Sequence, residues 1–527
     1  MSLELTLVVV LAAVLLLLIA AQFLRVPYPI FLVVGGLGLG ATPGIPHVEL
    51  HPELVLLVLL PPLLYSAAFF TPLRELRRNV RPISMLAVGL VLATMLAVAA
   101  VAHEAIGFDW PTSFVLGAIV SPTDPVAATA IARRLGVPQR LVTILEGESL
   151  INDATALVAY KFAVAAVVTG SFSLSEAVGE FFVNVAGGLA IGIAVGAVVA
   201  AVRRRLDNPP VEVTIALFTA YFAYLPAEEL GVSGVVAAVT VGIYMGRLTS
   251  KLTSPTTRIQ GTAVWEIVVF VLNSALFVLI GLQLPNVLDG IDGQDTGELI
   301  GFGALITVTV MLTRFAWNFT LTKVIRTLDR ALRGTSANWR LTTIAAWAGM
   351  RGAVSLAAAL ALPLETDAGA PFPHRELIVF LTFSMILGTL VVQGLTLPPL
   401  IRALDVDDRD ETLEREESKA RLRAAQAALE RIDELAGEDW VRDDTADRLR
   451  RAYDYRLRRF KSRFAEDDGG ESAGFEERAS GYQRLVREIL DAQRAKLLEL
   501  RDSGAINDEV MQRIERELDL EDTRLEI

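Results

Sequence analysis

The sequence predicts an all-α membrane protein with a helical cytoplasmic domain at its C-terminal end, and three observations lead there. Apolar stretches of spanning length, about 17–25 residues, recur from residue 3 to about residue 403. The loops between them alternate in charge, as those of a polytopic protein do when basic residues stay on the cytoplasmic side. Beyond Arg402 the composition turns abruptly to charged, Ala- and Leu-rich sequence with apolar residues at helical spacing. At 53% hydrophobic and 20% charged over 527 residues, the chain is more apolar than a soluble domain of this length.

The apolar stretches resolve into thirteen spans, at roughly 3–23, 28–43, 53–70, 82–102, 112–132, 141–168, 179–202, 211–226, 231–246, 263–284, 299–322, 340–362 and 376–401. The first is read as a retained span, since only Glu4 precedes it and its apolar run is too long for a signal peptide. Arg25 follows the first span; Arg74, Arg77, Arg78 and Arg81 the third; Arg133, Arg134 and Arg140 the fifth. Arg203, Arg204 and Arg205 follow the seventh; Arg247, Lys251 and Arg258 the ninth; Lys323, Arg326, Arg330, Arg333 and Arg340 the eleventh. The other loops carry Asp109, Glu228, Glu229, Asp289, Asp292 and Asp295, with Arg375 the exception. This alternation puts the N-terminus outside and the C-terminal tail in the cytoplasm.

The net charge of −12 resides in the tail, and no basic stripe with interleaved aromatics is present, which argues against nucleic acid. With no cysteine, disulfides, iron–sulfur clusters and Cys-based zinc sites are excluded. Two of the four histidines lie in HVELHPE (47–53), read as a solvated loop rather than a metal site.

Two spans contain what a lipid-facing helix avoids. The fifth carries Ser121-Pro122-Thr123-Asp124-Pro125 and the twelfth Ala348-Gly349-Met350-Arg351-Gly352. Proline removes a backbone donor and glycine loosens the helix, so both are candidate breaks. Breaks at matching positions of two halves point to a transporter's binding site. Their separation by seven spans, an odd number, implies an inverted repeat of spans 1–6 and 8–13 with the seventh as connector. Gly188, Gly192 and Gly196 on that connector form a close-packing face, and GGLGLG (35–40) is a packing feature without the spacing of a dinucleotide fingerprint.

Residues 1–403 thus form a transmembrane domain and 404–527 a cytoplasmic helical domain. In the latter, Leu422, Ala425, Leu429, Ile432 and Leu435 make one helical stripe, and Leu485, Ile489, Leu490, Leu497 and Leu500 a second, separated by a turn around Asp467 to Ser472. A packing or dimer element accounts for it better than a dedicated sensor.

An ionisable residue at a helix centre costs about 2.5–3.5 kcal/mol on the insertion scale. Asp124, Glu148, Asp153, Lys161, Glu266, Arg314 and Arg351 are the ones to explain. Lys161 is placed near enough to the outer interface to snorkel, and Glu266 near the start of its span. Ser149, Asn152 and Asp153 share one helix face, with Glu148 at its edge. A hydroxyl, an amide oxygen and a carboxylate are hard ligands suited to a small hard cation, and Thr123 with Asp124 adds a second hydroxyl and carboxylate. Polar groups that only glue helices together are the alternative; their concentration on two adjacent spans favours the cation site.

Ser121-Pro122-Thr123-Asp124-Pro125-Val126-Ala127, Gly147-Glu148-Ser149-Leu150-Ile151-Asn152-Asp153 and Gly349-Met350-Arg351-Gly352-Ala353 resemble the hallmarks of sodium/proton exchangers of the monovalent cation/proton antiporter family 1, above all its bacterial NhaP-like members. Leu60-Pro61-Pro62-Leu63 and WEIVVFVLNSALFVLIGLQL (265–284) support the resemblance, which covers about residues 1–403. It implies a homodimer in the plasma membrane, each protomer having two crossed broken helices in a core that moves against a dimerisation domain. It further implies that Asp153 alternates between Na⁺ and a proton, and that Asn152, Ser149, Thr123 and Asp124 complete or order the site. Na⁺ would then sit at Asp153 and Asp124, Glu148 would pair with Arg314, and Arg351 would compensate helix ends at the second break. Asn152 in place of a second carboxylate resembles the electroneutral branch. No cofactor and no enzymatic activity is implied, and Li⁺ or K⁺ are alternative cargoes.

A K⁺/H⁺ antiporter of the same fold and a passive channel are the alternatives within transport, though a channel needs a continuous pore. No HExxH, GxSxG or P-loop supports a membrane enzyme, and the tail lacks a nucleotide-binding pattern.

Overall fold

The computed structural model describes residues 12, 14–21, 23, 27–42, 54–170, 174–289, 291, 295–330, 339–406, 411–438, 440–462, 471–503 and 505–526. The HVELHPE loop, the start of the first predicted span and the part of the predicted tail turn before Glu471 lie outside these residues. The chain divides into two compact units, Met1–Asp408 and Arg409–Ile527.

In chain order the first unit runs α1 (Tyr28–Gly40), α2 (Val55–Phe70), α3 (Val80–Ile106) and α4 (Trp110–Val120). A break leads to α5 (Val126–Arg134). Then come α6 (Gln139–Thr169), α7 (Gly179–Arg203), α8 (Pro209–Glu229), α9 (Gly234–Leu252), α10 (Pro255–Leu288) and α11 (Thr296–Thr320). A second break separates α12 (Trp339–Trp347) from α13 (Ala353–Leu360), and α14 (Arg375–Leu404) ends the unit. Among the described residues, eight of these helices, α3, α6 to α11 and α14, are long and apolar enough to cross a membrane. The protein is a multi-pass, all-helical membrane protein.

Local chemistry sets the helix starts. Asn208, Ser233 and Ser254 accept hydrogen bonds from the N–H groups of Val211, Val236 and Thr257 at 3.4, 3.2 and 3.2 Å, capping α8, α9 and α10. Glycines set the close crossings. A methyl on Gly36 would come within 2.6 Å of the Val278 carbonyl oxygen, so α1 lies directly on the α10 backbone. Gly188 and Gly192 do the same for α7 against Ser233 and Ala237 of the α9 segment, and Gly196 lies against the Tyr244 ring.

Apolar burial groups the helices into two bodies, with α2 and α10 contributing to both. The largest buried cluster draws on α1, α4, α5, α6, α10, α13 and α14 through residues such as Leu32, Leu116, Ala128, Val142, Val278, Leu356 and Ile386. A second joins α2, α7, α8 and α9 through Tyr65, Val199, Ala220, Ala223 and Val241, with Trp265 of α10.

The second unit contains α15 (Glu411–Leu435), α16 (Asp443–Ser462), α17 (Glu471–Asp502) and α18 (Asp508–Glu526). Arg450 ties α16 to Asp433 of α15 at 2.6 Å. Leu490, Leu497 and Leu518 form a small core between α17 and α18, and Arg494 bonds Asp519 and Asp522 across it at 2.9 and 3.0 Å. The stripe predicted on α17 is divided: Leu490 and Leu497 are buried, while Leu485 and Ile489 face outward.

Candidate ion-binding site

The two breaks meet. Pro122 and Pro125 have no N–H to donate, helix α4 ends at Val120, and residues 121–125 form no helix before α5 begins at Val126. The Asp124 N–H donates to the Met350 carbonyl oxygen at 2.8 Å, joining the first break to the second. Four half-helix ends therefore converge: the carbonyl ends of α4 and α12 and the N–H ends of α5 and α13. Partial charges of both signs need partners there, because no lipid can solvate them.

The side chains match those signs. Arg351 is fully buried; its Nε donates to the Val120 carbonyl oxygen at 3.3 Å and its Nη1 to the Gly349 carbonyl oxygen. Its backbone N–H donates to Thr389 Oγ1 at 3.3 Å. A cation thus faces two carbonyl ends. The Asp124 carboxylate accepts from the Val126 N–H at 2.9 Å, at the start of α5, and lies directly against Gly352, the residue before α13. An anion thus faces two N–H ends, and a side chain at Gly352 would occupy its position.

A second chain of contacts leads inward from α11. Arg314 grips both oxygens of Glu148, with Nη2 to Oε2 at 2.9 Å and Nη1 to Oε1, and both side chains are 1% exposed. The same guanidinium donates to the Ala345 carbonyl oxygen on α12 at 3.2 and 3.1 Å. Glu148 Oε1 accepts from the Thr123 hydroxyl at 3.2 Å, and Thr123 Oγ1 accepts from Asn152 Nδ2 at 2.8 Å. The direction of each bond follows from the first. An ionised carboxylate only accepts, so Thr123 donates to it; the Thr123 oxygen must then accept, which calls for the amide nitrogen of Asn152. The Asn152 oxygen is left facing away, buried and without a hydrogen-bonding partner among the described residues. A buried acceptor in this position wants a positive partner.

Asp153 and Ser149 stand on the same face of α6, each nearly buried. Thr123, Asp124, Glu148, Ser149, Asn152, Asp153, Arg314 and Arg351 are therefore placed around the crossing by α4, α5, α6, α11 and the α12–α13 break.

The remaining buried or intramembrane charges fall elsewhere. Lys161 pairs with Glu228 of α8 at 3.3 Å. Glu266 lies eleven residues into α10, and its side chain is exposed. Arg375 closes the end of α13 by donating to the carbonyl oxygens of Leu360 and Leu362 at 3.1 and 3.2 Å. Sequence reasoning missed one buried pair outright: Arg203 Nη2 and Glu212 Oε2 at 3.4 Å, both almost fully buried, with Thr257 donating to Glu212 Oε1 at 3.4 Å. Arg203 begins a run of three arginines and Glu212 lies just inside the next span, so loop-charge counting hid both.

Membrane-length helices, two crossed discontinuous helices and opposite charges at their ends define a membrane transporter fold. The chain belongs to the sodium/hydrogen exchanger family, whose transmembrane-region profile matches residues 9–403. An uncharacterised Na⁺/H⁺ exchanger of Mycobacterium tuberculosis, Rv2287, is 38% identical over 509 residues, covering 95% of this chain and 92% of that one. The Na⁺/H⁺ antiporter ApNhaP of Aphanothece halophytica is 35% identical, covering 79% of this chain and 76% of its own length. A sodium, potassium, lithium and rubidium/H⁺ antiporter of Bacillus subtilis is 37% identical, covering 71% of this chain and 58% of that one. The sodium proton antiporter MjNhaP1 of Methanocaldococcus jannaschii has the same fold, with a TM-score of 0.61 at 18% identity over 77% of this chain and 99% of that one.

Proposed function

We propose that the protein exchanges Na⁺ for protons across the plasma membrane by alternating access, one ion for one proton, at the crossing of the two broken helices. The single observation that carries this reading is the unpartnered, buried Asn152 oxygen on the residue that precedes the buried Asp153 in α6. Together they offer a small hard cation a neutral oxygen and a titratable anion. Asp153 holds either Na⁺ or a proton, never both. Ser149 and Asp124 complete the ligand set, while Thr123 fixes the direction of the Asn152 amide. Because the loaded site has the same charge in both steps, the cycle is electroneutral.

In this reading the protomer has thirteen spans arranged as an inverted repeat, works as a homodimer, and keeps its N-terminus outside and its tail in the cytoplasm. Li⁺ and K⁺ are weaker or alternative cargoes; the broad cation range of the Bacillus relative's name is the reason to test them. Purified protein in liposomes containing a pH dye, titrated with each cation, tests the reading. Cation-dependent proton flux that is insensitive to an imposed membrane potential supports it. A current carried without proton flux would make the protein a channel.

Two expected results follow from competition at one carboxylate. Each pH unit below the site's titration range should raise the apparent KM for Na⁺ about tenfold, since each unit is about 1.36 kcal/mol. At high pH proton supply limits the rate instead, so activity forms a bell against pH. Deletion of the tail after Asp405 should leave the bell intact; a truncated, folded protein with a pH-independent rate would place the pH response in the tail. Gly352→Ala should lower flux about fivefold or more, because overpacking of about 1–3 kcal/mol falls on Asp124. A near-normal rate from folded Gly352→Ala would show that the Asp124–α13 contact is slack.

A further inference from the structure

Helix α6 carries Asp153 and, over the two turns that follow it, meets the other helical body. Ala154 and Leu157 pack with Leu60, Leu64, Tyr224, Val235, Ala238 and Val239 in a small cluster that also takes in Val354 of α13. That cluster is the seam between the two larger ones: α6 and α13 belong to the body that holds the candidate site, α8 and α9 to the other. Residues 154, 157 and 161 follow each other at helical spacing, so Lys161 stands at the end of this seam. There its ammonium pairs with Glu228 Oε2 at 3.3 Å.

The two partners are not equally held. Glu228 Oε1 accepts from the Gly234 N–H at 2.9 Å, at the start of α9, so the carboxylate is fixed to the α8–α9 turn. Lys161 is the flexible arm, with 55% of its side chain exposed against 32% for Glu228. An ion pair this exposed is weak. Weakness suits a contact that must open in every cycle, since a buried bidentate pair here would trap one conformation.

We propose that Lys161 and Glu228 form a reversible clasp across the seam, which closes the passage from Asp153 on that side of the membrane and must separate for the site to open there. The proposal rests on the alternating-access reading above, in which one bundle rocks against the other around the site. It assigns Lys161 and Glu228 a positioning role, setting which side the site faces, without contact with the ion.

The absence of cysteine in the chain makes the test direct. In the Lys161→Cys, Glu228→Cys double variant, reconstituted in liposomes, a short reducible bifunctional thiol reagent should link the two positions and stop cation-driven proton flux. Reductant should restore the flux, and each single-cysteine variant treated alike should keep it. Failure to link, or undiminished flux after linking, overturns the clasp. A second arm needs no transport. Val239→Cys places a reporter in the seam, labelled by a membrane-impermeant maleimide from the face on which Lys161 lies. Lys161→Glu should raise the labelling rate up to about fivefold, the range of an exposed pair, and Lys161→Glu with Glu228→Lys should return it towards the starting value. Unchanged labelling in Lys161→Glu also overturns the clasp. Absence of exchange in the unmodified protein would instead remove the exchanger reading, and the labelling arm would still decide whether the seam opens.

Discussion

Asp153→Asn is expected to abolish cation-driven proton flux while the protein still inserts and purifies. The substitution keeps the shape of the side chain and its place on α6, and removes only the titratable oxygen. Exchange at one carboxylate needs a group that is an anion when it holds Na⁺ and neutral when it holds a proton. An amide is neutral in both steps, so it can neither carry the proton back nor balance the ion. The Asn152 oxygen, Ser149 and Asp124 remain, so residual cation binding without exchange is compatible with the scheme. The Asp124 backbone N–H continues to bond Met350, so the crossing itself should persist. The measurement is dye-reported flux in liposomes, with thermal unfolding of the same preparation as the control for folding. Retained flux from Asp153→Asn would move the proton carrier elsewhere, with Asp124 the first residue to examine.

Much of this site was legible in the sequence because the physics that makes it also marks it. Proline and glycine inside an apolar run cannot sit in a lipid-facing helix, so Pro122, Pro125, Gly349 and Gly352 announced both breaks. Charges in the same runs had to be explained, which singled out Asp124, Glu148, Asp153, Arg314 and Arg351. The partners of these charges were harder to read. Ala345, Met350 and Val120 contribute carbonyl oxygens, and a backbone group leaves no trace in residue identity. The place of Thr123 was also hidden: spacing could offer its hydroxyl as a ligand, but only the bond to Glu148 reveals that it orients Asn152. On α17 the leucine stripe was read at helical spacing, yet residues 485 and 489 fall on a different face from 490 and 497, and only the second face has α18 to pack against.

Arg314→Ala should lower thermal stability sharply, and adding Glu148→Ala should recover part of the loss. The pair is bidentate, sits at 1% exposure on both sides, and bridges α6, α11 and α12 through the Ala345 carbonyl oxygen. Removing one partner strands the other charge in a buried site without its bidentate partner, which in soluble proteins costs about 3–5 kcal/mol. Removing both leaves a cavity and an unpaired Ala345 carbonyl oxygen but no stranded charge, so the double variant should lie above the worse single one. Arg314→Lys should fall between wild type and Arg314→Ala, since an ammonium keeps the charge but cannot grip two oxygens and a carbonyl at once. Function should not follow stability in this series. Glu148 also holds the Thr123 hydroxyl, and Thr123 holds the Asn152 amide, so loss of Glu148 frees the ligand oxygen to rotate. The double variant should therefore regain stability without regaining cation affinity. Thermal unfolding and the KM for Na⁺, measured on wild type, both single alanine variants, the double variant and Arg314→Lys, separate the two effects. Strictly additive stability losses would show that the two side chains do not act as a pair.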